Sequence, residues 1–289
     1  DAIIEVLENA CTPVENRYTS DFDICVKNNS ETLNLILENR CSIARFGDGE
    51  FDIIAGNSIP YQEYNETLAA ELKEIIARQS DTHFMTCLPD VFENQGRYNE
   101  ACQSFWKGHL QAYRQLYKDV CTAGWYGSTF VSRPYIDLAD KSTVTGYFDR
   151  LKSLWDNRDV LIVEGKTTRS GVGNDLFDNA KSLVRIIGPS KNAYRAIDRI
   201  ESKIEEYGKN KLILLMLGPT AKVISYHLYK KGYWLIDIGH IDSEYEWYKL
   251  GVVEKVKLPN KHTAEHNYDQ DIVFDHDQVY ESQIVATVE

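Results

Sequence analysis

LILLMLGPTAKVISYHLYKKGYWLIDIG, residues 212–239, reads as a strand, a helix and a second strand in one stretch. Its two ends, LILLMLG (212–218) and WLIDIG (234–239), are short apolar runs of the kind found in strands that are buried on both faces. Between them, TAKVISYHLYKKG (220–232) predicts a helix that stops at Gly232. This order predicts two parallel strands joined by a crossover helix.

The same alternation of apolar runs and amphipathic stretches extends over most of the chain. Further runs that predict buried strands are SIARFG (42–47), HFMTCL (83–88), STFVSR (128–133), VLIVEG (160–165) and LVRIIG (183–188). Residues 64–79 and 193–208 have apolar side chains at helical spacing and predict helices. The alternation favours a Rossmann-like, doubly wound α/β fold, with a mostly parallel sheet and helices on both faces.

The predicted domain covers residues 31–260, flanked by a peripheral extension at 1–30 and a peripheral tail at 261–289. Within the domain, residues 92–124 are rich in aromatic side chains and predict a helical insertion that covers the site. In doubly wound sheets, ligands bind beyond the C-terminal ends of the strands. We therefore expect the functional residues to follow the apolar runs.

Composition argues against several classes of protein. The net charge of −12 over 289 residues is unlike that of a general nucleic-acid binder, which normally has a basic face. No apolar run approaches the length needed to cross a bilayer, so we expect no transmembrane segment. The six cysteines are dispersed without CxxC spacing, which argues against a zinc site and favours a reduced, cytoplasmic protein.

An acidic motif follows the first predicted strand. RFGDGEFDIIAG (45–56) places Asp48 and Glu50 two positions apart between glycines. Their carboxylate oxygens suit a hard divalent cation such as Mg²⁺ or Mn²⁺. A solvated surface turn is the alternative for this motif, and Arg45 is placed either to bind a phosphate or to pair with Asp48.

A second acidic motif of the same spacing follows the last predicted strand. It consists of Asp242, Ser243 and Glu244, and His240 lies just before it. Two such motifs can converge on one metal ion, or one can bind the metal while the other supplies a general base. A surface turn is again the alternative.

Two further strand ends have the composition of anion sites. GPSKNA (188–193) and GPTAK (218–222) each combine Gly-Pro with a hydroxyl residue where a helix is expected to begin, and a helix N-terminus attracts anions. Ordinary strand-to-helix turns are the alternative. GVGND (171–175) lacks the third glycine of a dinucleotide fingerprint, so we do not predict NAD.

Taken together, these segments resemble the GT-D fold glycosyltransferases, a bacterial family first known as domain of unknown function 1792. The stretches that carry the resemblance are RFGDGEFDIIAGNSIPYQ (45–62), WYGSTFVSRPYID (125–137), LIVEGKTTRSGVGNDLFDNAKSLVRIIGPSKNAY (161–194), LGPTA (217–221) and IDIGHIDSEYEW (236–247). They are spread in order over most of residues 31–260, and several are long.

The resemblance implies a Rossmann-like domain that takes a sugar from a UDP-linked donor, with Mn²⁺ or Mg²⁺ bound through a DxE motif. The motif maps first to Asp48 and Glu50, with the segment at 242–244 as a competitor. It also implies transfer of a hexose, with glucose as the favoured choice. The resemblance further implies a glycan or glycoprotein acceptor, such as the serine-rich surface adhesins of Gram-positive bacteria.

The residues of the strand ends then receive candidate roles. Asp242, Glu244 and His240 are candidates for the base that deprotonates the acceptor hydroxyl. Candidates for binding the UDP-sugar are Arg45, Lys166, Arg169, Asn174, Asp175, Ser190, Lys191, Asn192 and Thr220. A nucleotide-sugar hydrolase or phosphotransferase and a non-catalytic nucleotide- or glycan-binding module are the alternative functions.

Overall fold

The computed structural model describes residues 21–142, 144–266, 269, 272–273 and 276–289. Its strands are β1 (Ser42–Arg45), β2 (Phe84–Leu88), β3 (Gly127–Ser128), β4 (Asp159–Gly165), β5 (Ser182–Gly188), β6 (Leu212–Met216), β7 (Trp234–Asp237) and β8 (Ile284–Thr287). They form one eight-stranded sheet in the order β3-β2-β1-β7-β6-β4-β5-β8. Every neighbouring pair in this order is parallel.

The connections between strands are mostly helical. The α-helices are α1 (Asn29–Asn39), α2 (Asp48–Ile54), α3 (Glu66–Ala77), α4 (Glu100–Ala112), α5 (Arg114–Val120), α6 (Val144–Lys152), α7 (Ile197–Tyr207), α8 (Pro219–Tyr229), α9 (Ile241–Leu250) and α10 (Gln278–Gln283). Short 3-10 helices cover Gln95–Arg97, Thr129–Ser132 and Ala193–Ala196. Within the described ranges, each helix is too short or too polar to span a bilayer.

The sheet is covered on both faces, which confirms the predicted doubly wound α/β fold. Successive residues of β4 alternate between two core clusters, with Val160 and Ile162 in one and Leu161 and Val163 in the other. The first cluster includes side chains of α1, α6 and α9, and the second includes side chains of α7 and α8. A third cluster packs α2 to α5 against β1 and β2. This alternation follows from the two-residue period of a strand.

The crossover helix predicted between β6 and β7 is present as α8. Gly218 precedes it with a φ of +51°, a backbone region that favours glycine, and Pro219 fills the first helical turn. The helix is buried along most of its length, and the Ser225 hydroxyl donates to the carbonyl of Ile43 at 2.9 Å. The helix thereby lies against β1 and fixes the strand ends that follow.

Two predicted elements differ in the structure. STFVSR (128–133) forms a strand only at Ser128, because the Ser128 hydroxyl accepts from the backbone N–H of Phe130 and starts the 3-10 helix Thr129–Ser132. The helix predicted over 193–208 begins as a 3-10 helix, with Asn192 before it in a left-handed conformation (φ +55°), and becomes α-helical at Ile197. GPSKNA therefore does not lead directly into an α-helix.

The described part of the segment after 260 is integrated into the domain rather than peripheral. β8 extends the sheet beyond β5, and residues His262 and Glu265 line the cavity described below. The predicted extension at 1–30 lies largely outside the described residues, although Val26 pairs with Tyr126 in a parallel bridge. The boundaries at 31 and 260 remain predictions.

The cysteines depart in part from the expectation of reduced thiols. Cys41, Cys87, Cys102 and Cys121 are free and buried, whereas Cys25 is disulfide-bonded. Burial raises the pKa of the Cys87 and Cys121 thiols far above the usual range, so both stay protonated.

Candidate functional site

A cavity of about 700 Å³ opens at the C-terminal edge of the sheet. Residues that follow β1, β4, β5, β6 and β7 all contribute to its wall, as expected for a doubly wound sheet. Cys102, Phe105 and Trp106 of α4 line it as well. The helical insertion predicted over 92–124 therefore does form part of the cover of this cavity.

Four buried charged side chains form the floor of the cavity: Arg45, Glu50, Lys222 and Asp237, which we call the floor cluster. Lys222 Nζ lies 3.0 Å from Glu50 Oε1 and 3.1 Å from Asp237 Oδ2. The backbone N–H of Arg45 donates to Asp237 Oδ2 at 2.9 Å, and Arg45 Nε donates to the Asp237 carbonyl at 2.8 Å. Buried charges persist only when paired in this way, so each member holds the others in place.

Gly239 makes room for the guanidinium of Arg45. It has a φ of +51°, and a Cβ added at this position would collide with Arg45 Nη2. Gly251 is a natural comparison, because it also has a positive φ (+66°) but no atom within 4 Å of an added Cβ.

Replacing Gly239 with alanine is expected to lower the free energy of unfolding by roughly 2–4 kcal/mol, the sum of backbone strain and overpacking against Arg45. The control, Gly251→Ala, adds strain without a collision and is expected to cost only about 1 kcal/mol. Urea denaturation of both variants measures the difference. Equal losses would show that Arg45 moves aside freely.

Asp48 and Glu50 begin α2 and differ sharply in their surroundings. Glu50 Oε2 accepts from the backbone N–H of Gly47 at 2.7 Å, while its other oxygen faces Lys222. Asp48 is exposed to the cavity. Partial desolvation within the cleft and the nearby Glu50 raise the pKa of Asp48, so a cationic ligand would favour its charged form.

The donor set around Asp48 fits one kind of metal site. Among the described residues, no group of three or more His, Cys, Asp or Glu side chains is arranged to hold a metal ion by itself. A Mg²⁺-type ion, however, needs only one or two carboxylates when water and substrate phosphates complete its shell. Asp48 fits that role, whereas Glu50 is already held by Lys222 and Gly47.

The competing acidic motif lies outside the cavity. Asp242 is buried, and its Oδ1 accepts from the backbone N–H of Gly171 at 2.7 Å and from the Asn174 amide at 2.9 Å. Its Oδ2 lies 2.9 Å from Lys261 Nζ, which also pairs with Glu246. Asp242 therefore anchors the 171–174 loop instead of facing a ligand.

Glu244 is a buried support for the cavity wall. Its Oε2 accepts from the backbone N–H groups of Tyr135 and Ile136 at 2.9 and 3.1 Å. Its Oε1 lies 3.7 Å from Arg133 Nε, and Arg133 itself lines the cavity. Glu244 thus acts on the cavity through Arg133, which is also paired with Asp137 at 2.8 Å.

Glu244 is expected to make stability depend on pH. Burial raises its pKa from 4.5 to about 7, with Arg133 opposing and Asp137 reinforcing the shift. A carboxyl with a higher pKa in the folded protein than in the unfolded chain keeps its proton between the two values. Stability from this group is therefore fully present below pH 4.5 and is lost as the pH rises through about 7.

Glu244→Gln is expected to flatten this fall between pH 5 and 7.5, because glutamine stays neutral and still accepts the two backbone hydrogen bonds. Urea denaturation across the pH range measures the slope for wild type and variant. Glu38→Gln, on the exposed side of α1, is the control that should keep the wild-type slope. An unchanged slope in Glu244→Gln would contradict the assignment.

His240 is the one predicted base candidate of the three that lines the cavity. Its ring centroid lies 5.2 Å from that of His262. Burial within the cleft and the neighbouring His262 lower the pKa of His240 to about 3, so it is neutral near pH 7. A neutral imidazole can both donate and accept a hydrogen bond.

A polar network holds His262 in the wall. His262 Nδ1 lies 2.9 Å from Asp269 Oδ1, and Asp269 Oδ2 accepts from the Thr167 hydroxyl at 2.7 Å. The Thr167 hydroxyl also lies 3.2 Å from Ser190 Oγ. Tyr61 packs edge-on against the His262 ring, with centroids 5.0 Å apart. Ser190, which was predicted to bind the UDP-sugar, thus lies in the cavity wall. It is next to residues to which the sequence assigned no role.

Several other residues that were predicted to bind the UDP-sugar lie away from the cavity. Lys166 is exposed, and Arg169 is buried with its guanidinium 4.8 Å from the Tyr280 ring centre. Asn174 donates to Asp242 and Glu246, and Asp175 pairs with Lys152 at 3.3 Å.

The remaining candidates flank the cavity without lining it. Lys191 is exposed, with Nζ 5.9 Å from the Tyr61 ring centre. Asn192 ties two loops together, since its side chain accepts from the backbone N–H of Glu63 at 2.7 Å. Thr220 is fully buried within the first turn of α8.

The structure also places residues in the site that received no role from the sequence. Asp237 is one of them. Its carboxylate lies inside the apolar run WLIDIG, and a charged residue in a buried strand indicates a charged partner or a functional role. Arg133 and Asp137 follow β3 and were visible only as polar residues near a strand end. His262 and Glu265 belong to the segment after 260, and no local pattern marks them.

Comparison with known proteins identifies the family. Residues 43–266 match the family described as "Glycosyltransferase GT-D fold". A glycosyltransferase with domain DUF1792 from Streptococcus sanguinis has a TM-score of 0.91 and 55% identity, over 92% of this chain and 100% of that one. A second structure, of the DUF1792 domain with a distinct glycosyltransferase fold, has a TM-score of 0.90 and 54% identity, over 92% and 96% of the two chains.

Curated streptococcal proteins agree with this result. The "Probable glycosyl transferase Gly" of Streptococcus gordonii is 53% identical over 284 residues, which is 98% of this chain and 42% of that protein. "Glycosyltransferase GlyD" of Streptococcus pneumoniae is 54% identical over 265 residues, 92% of this chain and 33% of that protein. This chain therefore spans less than half the length of these relatives. On the family match and the fold, the chain belongs to the GT-D fold glycosyltransferases.

Proposed function

We propose that this chain is a metal-dependent glycosyltransferase that moves a hexose, with glucose as the first choice, from a UDP-sugar to a glycan or glycoprotein acceptor. The observation that carries the proposal is that one cavity is lined by both the exposed Asp48 carboxylate and the buried Lys222 of the floor cluster. The cavity lies at the edge of the sheet where nucleotides bind in doubly wound folds. Family membership supports glycosyl transfer as the reaction class.

The donor diphosphate is assigned to the space between Asp48 and the start of α8. Leu217, Gly218 and Pro219 line the cavity there, and the N-terminal end of a helix favours negative charge. Asp48 would hold Mn²⁺ or Mg²⁺, while Glu50 keeps its ion pair with Lys222. When bound, the cation supplies positive charge that stabilises the departing UDP. Lys222 adds a fixed positive charge from the protein itself.

The acceptor hydroxyl is assigned to the His240 side of the cavity. Because its pKa is held near 3, His240 is neutral at physiological pH and can accept a hydrogen bond from the hydroxyl and orient it. The positive charge of Arg133, which also lines the cavity, opposes the rise in the pKa of Asp48. Asp242 and Glu244 act as supports of the wall in this proposal.

The cellular setting follows from the same proposal. UDP-sugars are cytoplasmic metabolites, so we expect the chain to work in the cytoplasm. The acceptor would then be a protein or glycan that is modified before export, for example a serine-rich adhesin. No nucleic-acid partner is expected, given the acidic net charge of −12.

The test is release of UDP from UDP-glucose and other UDP-hexoses with Mn²⁺, in the presence and absence of a glycan acceptor. Release that depends on the acceptor and is abolished by a chelator supports the transferase. Equal release without acceptor would identify a hydrolase instead, and binding of UDP without release would identify a non-catalytic module. The same assay with GDP- and ADP-linked sugars tests the preference for uridine.

A further inference from the structure

The cavity wall contains an exposed aromatic ring that has no role in the proposed binding of the UDP-sugar. Phe105 lies on α4, is 49% exposed and lines the cavity. Val253, which is 71% exposed, also lines it. Large apolar side chains exposed in a ligand cavity lose unfavourable contact with water when a ligand covers them, so they mark a binding surface.

Phe105 begins a ladder of rings along one face of α4, formed by Phe105, His109 and Tyr113 at four-residue spacing. The rings of Phe105 and His109 are nearly parallel, with an interplanar angle of 13° and centroids 6.0 Å apart. The rings of His109 and Tyr113 follow at 4.8 Å. The buried Trp106 packs edge-on against Phe105 at 5.2 Å and fixes its orientation. The exposed ring is therefore backed by a rigid stack.

One carboxylate contacts this ladder, and further carboxylates line the same cavity. Tyr113 donates a hydrogen bond to Asp52, and Asp52 lines the cavity together with Glu254. Two cationic side chains of the cavity wall are already paired with Glu265. Arg133 lies 2.6 Å from its carboxylate and Lys255 lies 2.9 Å from it. These cavity carboxylates would repel an acidic acceptor substrate. A neutral, polyhydroxylated acceptor substrate could instead donate hydrogen bonds from its hydroxyl groups to them.

We propose that Phe105 is the platform on which the terminal pyranose ring of a neutral glycan acceptor stacks, with its apolar C–H face against the phenyl ring. The inference rests on the proposed function and deepens it by naming the residue that would hold the acceptor sugar ring. An aromatic face and the C–H bonds of a pyranose make favourable dispersion and weak hydrogen-bond contacts. Asp48 and His240 line the same cavity as Phe105, so the platform and the proposed reacting groups share one binding space.

Saturation-transfer NMR with methyl pyranosides (glucoside, galactoside and N-acetylglucosaminide) tests the platform without any donor. Wild type is expected to transfer saturation to the ring protons of at least one pyranoside, and Phe105→Ala is expected to bind it about tenfold more weakly. Phe105→Trp should restore binding. Leu250→Ala, which removes an exposed apolar side chain outside the cavity, should leave binding unchanged.

Calorimetric titration with UDP separates this inference from the proposed function. Phe105→Ala is expected to bind UDP as wild type does, because the proposal assigns the ring to the acceptor sugar and not to the nucleotide. Equal pyranoside binding in wild type and Phe105→Ala, or none in either, would overturn the platform. Weakened binding of an unglycosylated serine-rich peptide in Phe105→Ala, with pyranosides unaffected, would also overturn it. Failure of wild type to bind UDP would count against the donor proposal alone.

Discussion

Asp48→Asn is expected to lower the rate of UDP-hexose transfer by about 10²- to 10³-fold, the usual effect of removing one group that stabilises a developing charge. Asparagine is nearly isosteric, and Asp48 is exposed to the cavity, so the fold should remain intact. Because the pKa of Asp48 is raised in the folded protein, removing its charge should leave stability unchanged or slightly increased. Steady-state kinetics and urea denaturation measure the two effects.

The matched control is Asp52→Asn, which alters a carboxylate one turn further along α2 that also lines the cavity. The asparagine side chain can still accept the hydrogen bond from the Tyr113 hydroxyl, so kcat should change far less than in Asp48→Asn. Titration with Mn²⁺ followed by electron paramagnetic resonance gives a readout that does not depend on activity. Loss of Mn²⁺ affinity in Asp48→Asn but not in Asp52→Asn is expected, and the opposite pattern would reject Asp48 as the metal ligand.

Lys222→Met is expected to lower the free energy of unfolding by roughly 3–5 kcal/mol, since it leaves Glu50 and Asp237 buried without their shared cation. Lys203→Met is the matched control, because Lys203 forms an exposed pair with Glu206 at 2.6 Å and such pairs contribute about 0–1 kcal/mol. Urea denaturation of both variants measures the contrast.

A second substitution distinguishes lost charge balance from lost packing. In Lys222→Met/Glu50→Gln one of the two stranded carboxylates is neutral, so part of the lost stability should return. If Lys222→Met cost no more than Lys203→Met, the floor cluster would not be a buried charge network. Lys222→Met should also weaken UDP binding, which calorimetry measures independently of stability.

The sheet was predictable because its strands are buried on both faces. Near-continuous apolar runs such as LILLMLG leave little choice except a covered parallel sheet, and the helices between them have a clear period. STFVSR has fewer apolar residues, and a local hydrogen bond from the backbone N–H of Phe130 to the Ser128 hydroxyl favours a 3-10 turn over a strand. Side-chain competition for backbone groups of this kind is weakly encoded in composition.

The site was only partly predictable, because chemistry at strand ends depends on distant partners. The two acidic motifs have the same spacing, yet only the first, with Asp48 and Glu50, lines the cavity, while Asp242 is paired with Lys261. Nothing near residue 242 indicates that partner. The role of Asp48 as a metal ligand stays a prediction, as do the donor roles of Arg45 and Ser190. What the sequence did indicate was the edge of the sheet at which these residues meet.

The floor cluster also has a consequence for the synthesis of the protein. The backbone N–H of Arg45 is bound by the side chain of Asp237, a residue 192 positions later in the chain. A nascent chain therefore carries Asp48 long before it carries the carboxylate and the lysine that complete the floor. Contacts this distant in sequence form slowly and late. A ribosome-bound or truncated chain that ends before β7 lacks this floor, so UDP binding should report that translation has passed residue 237.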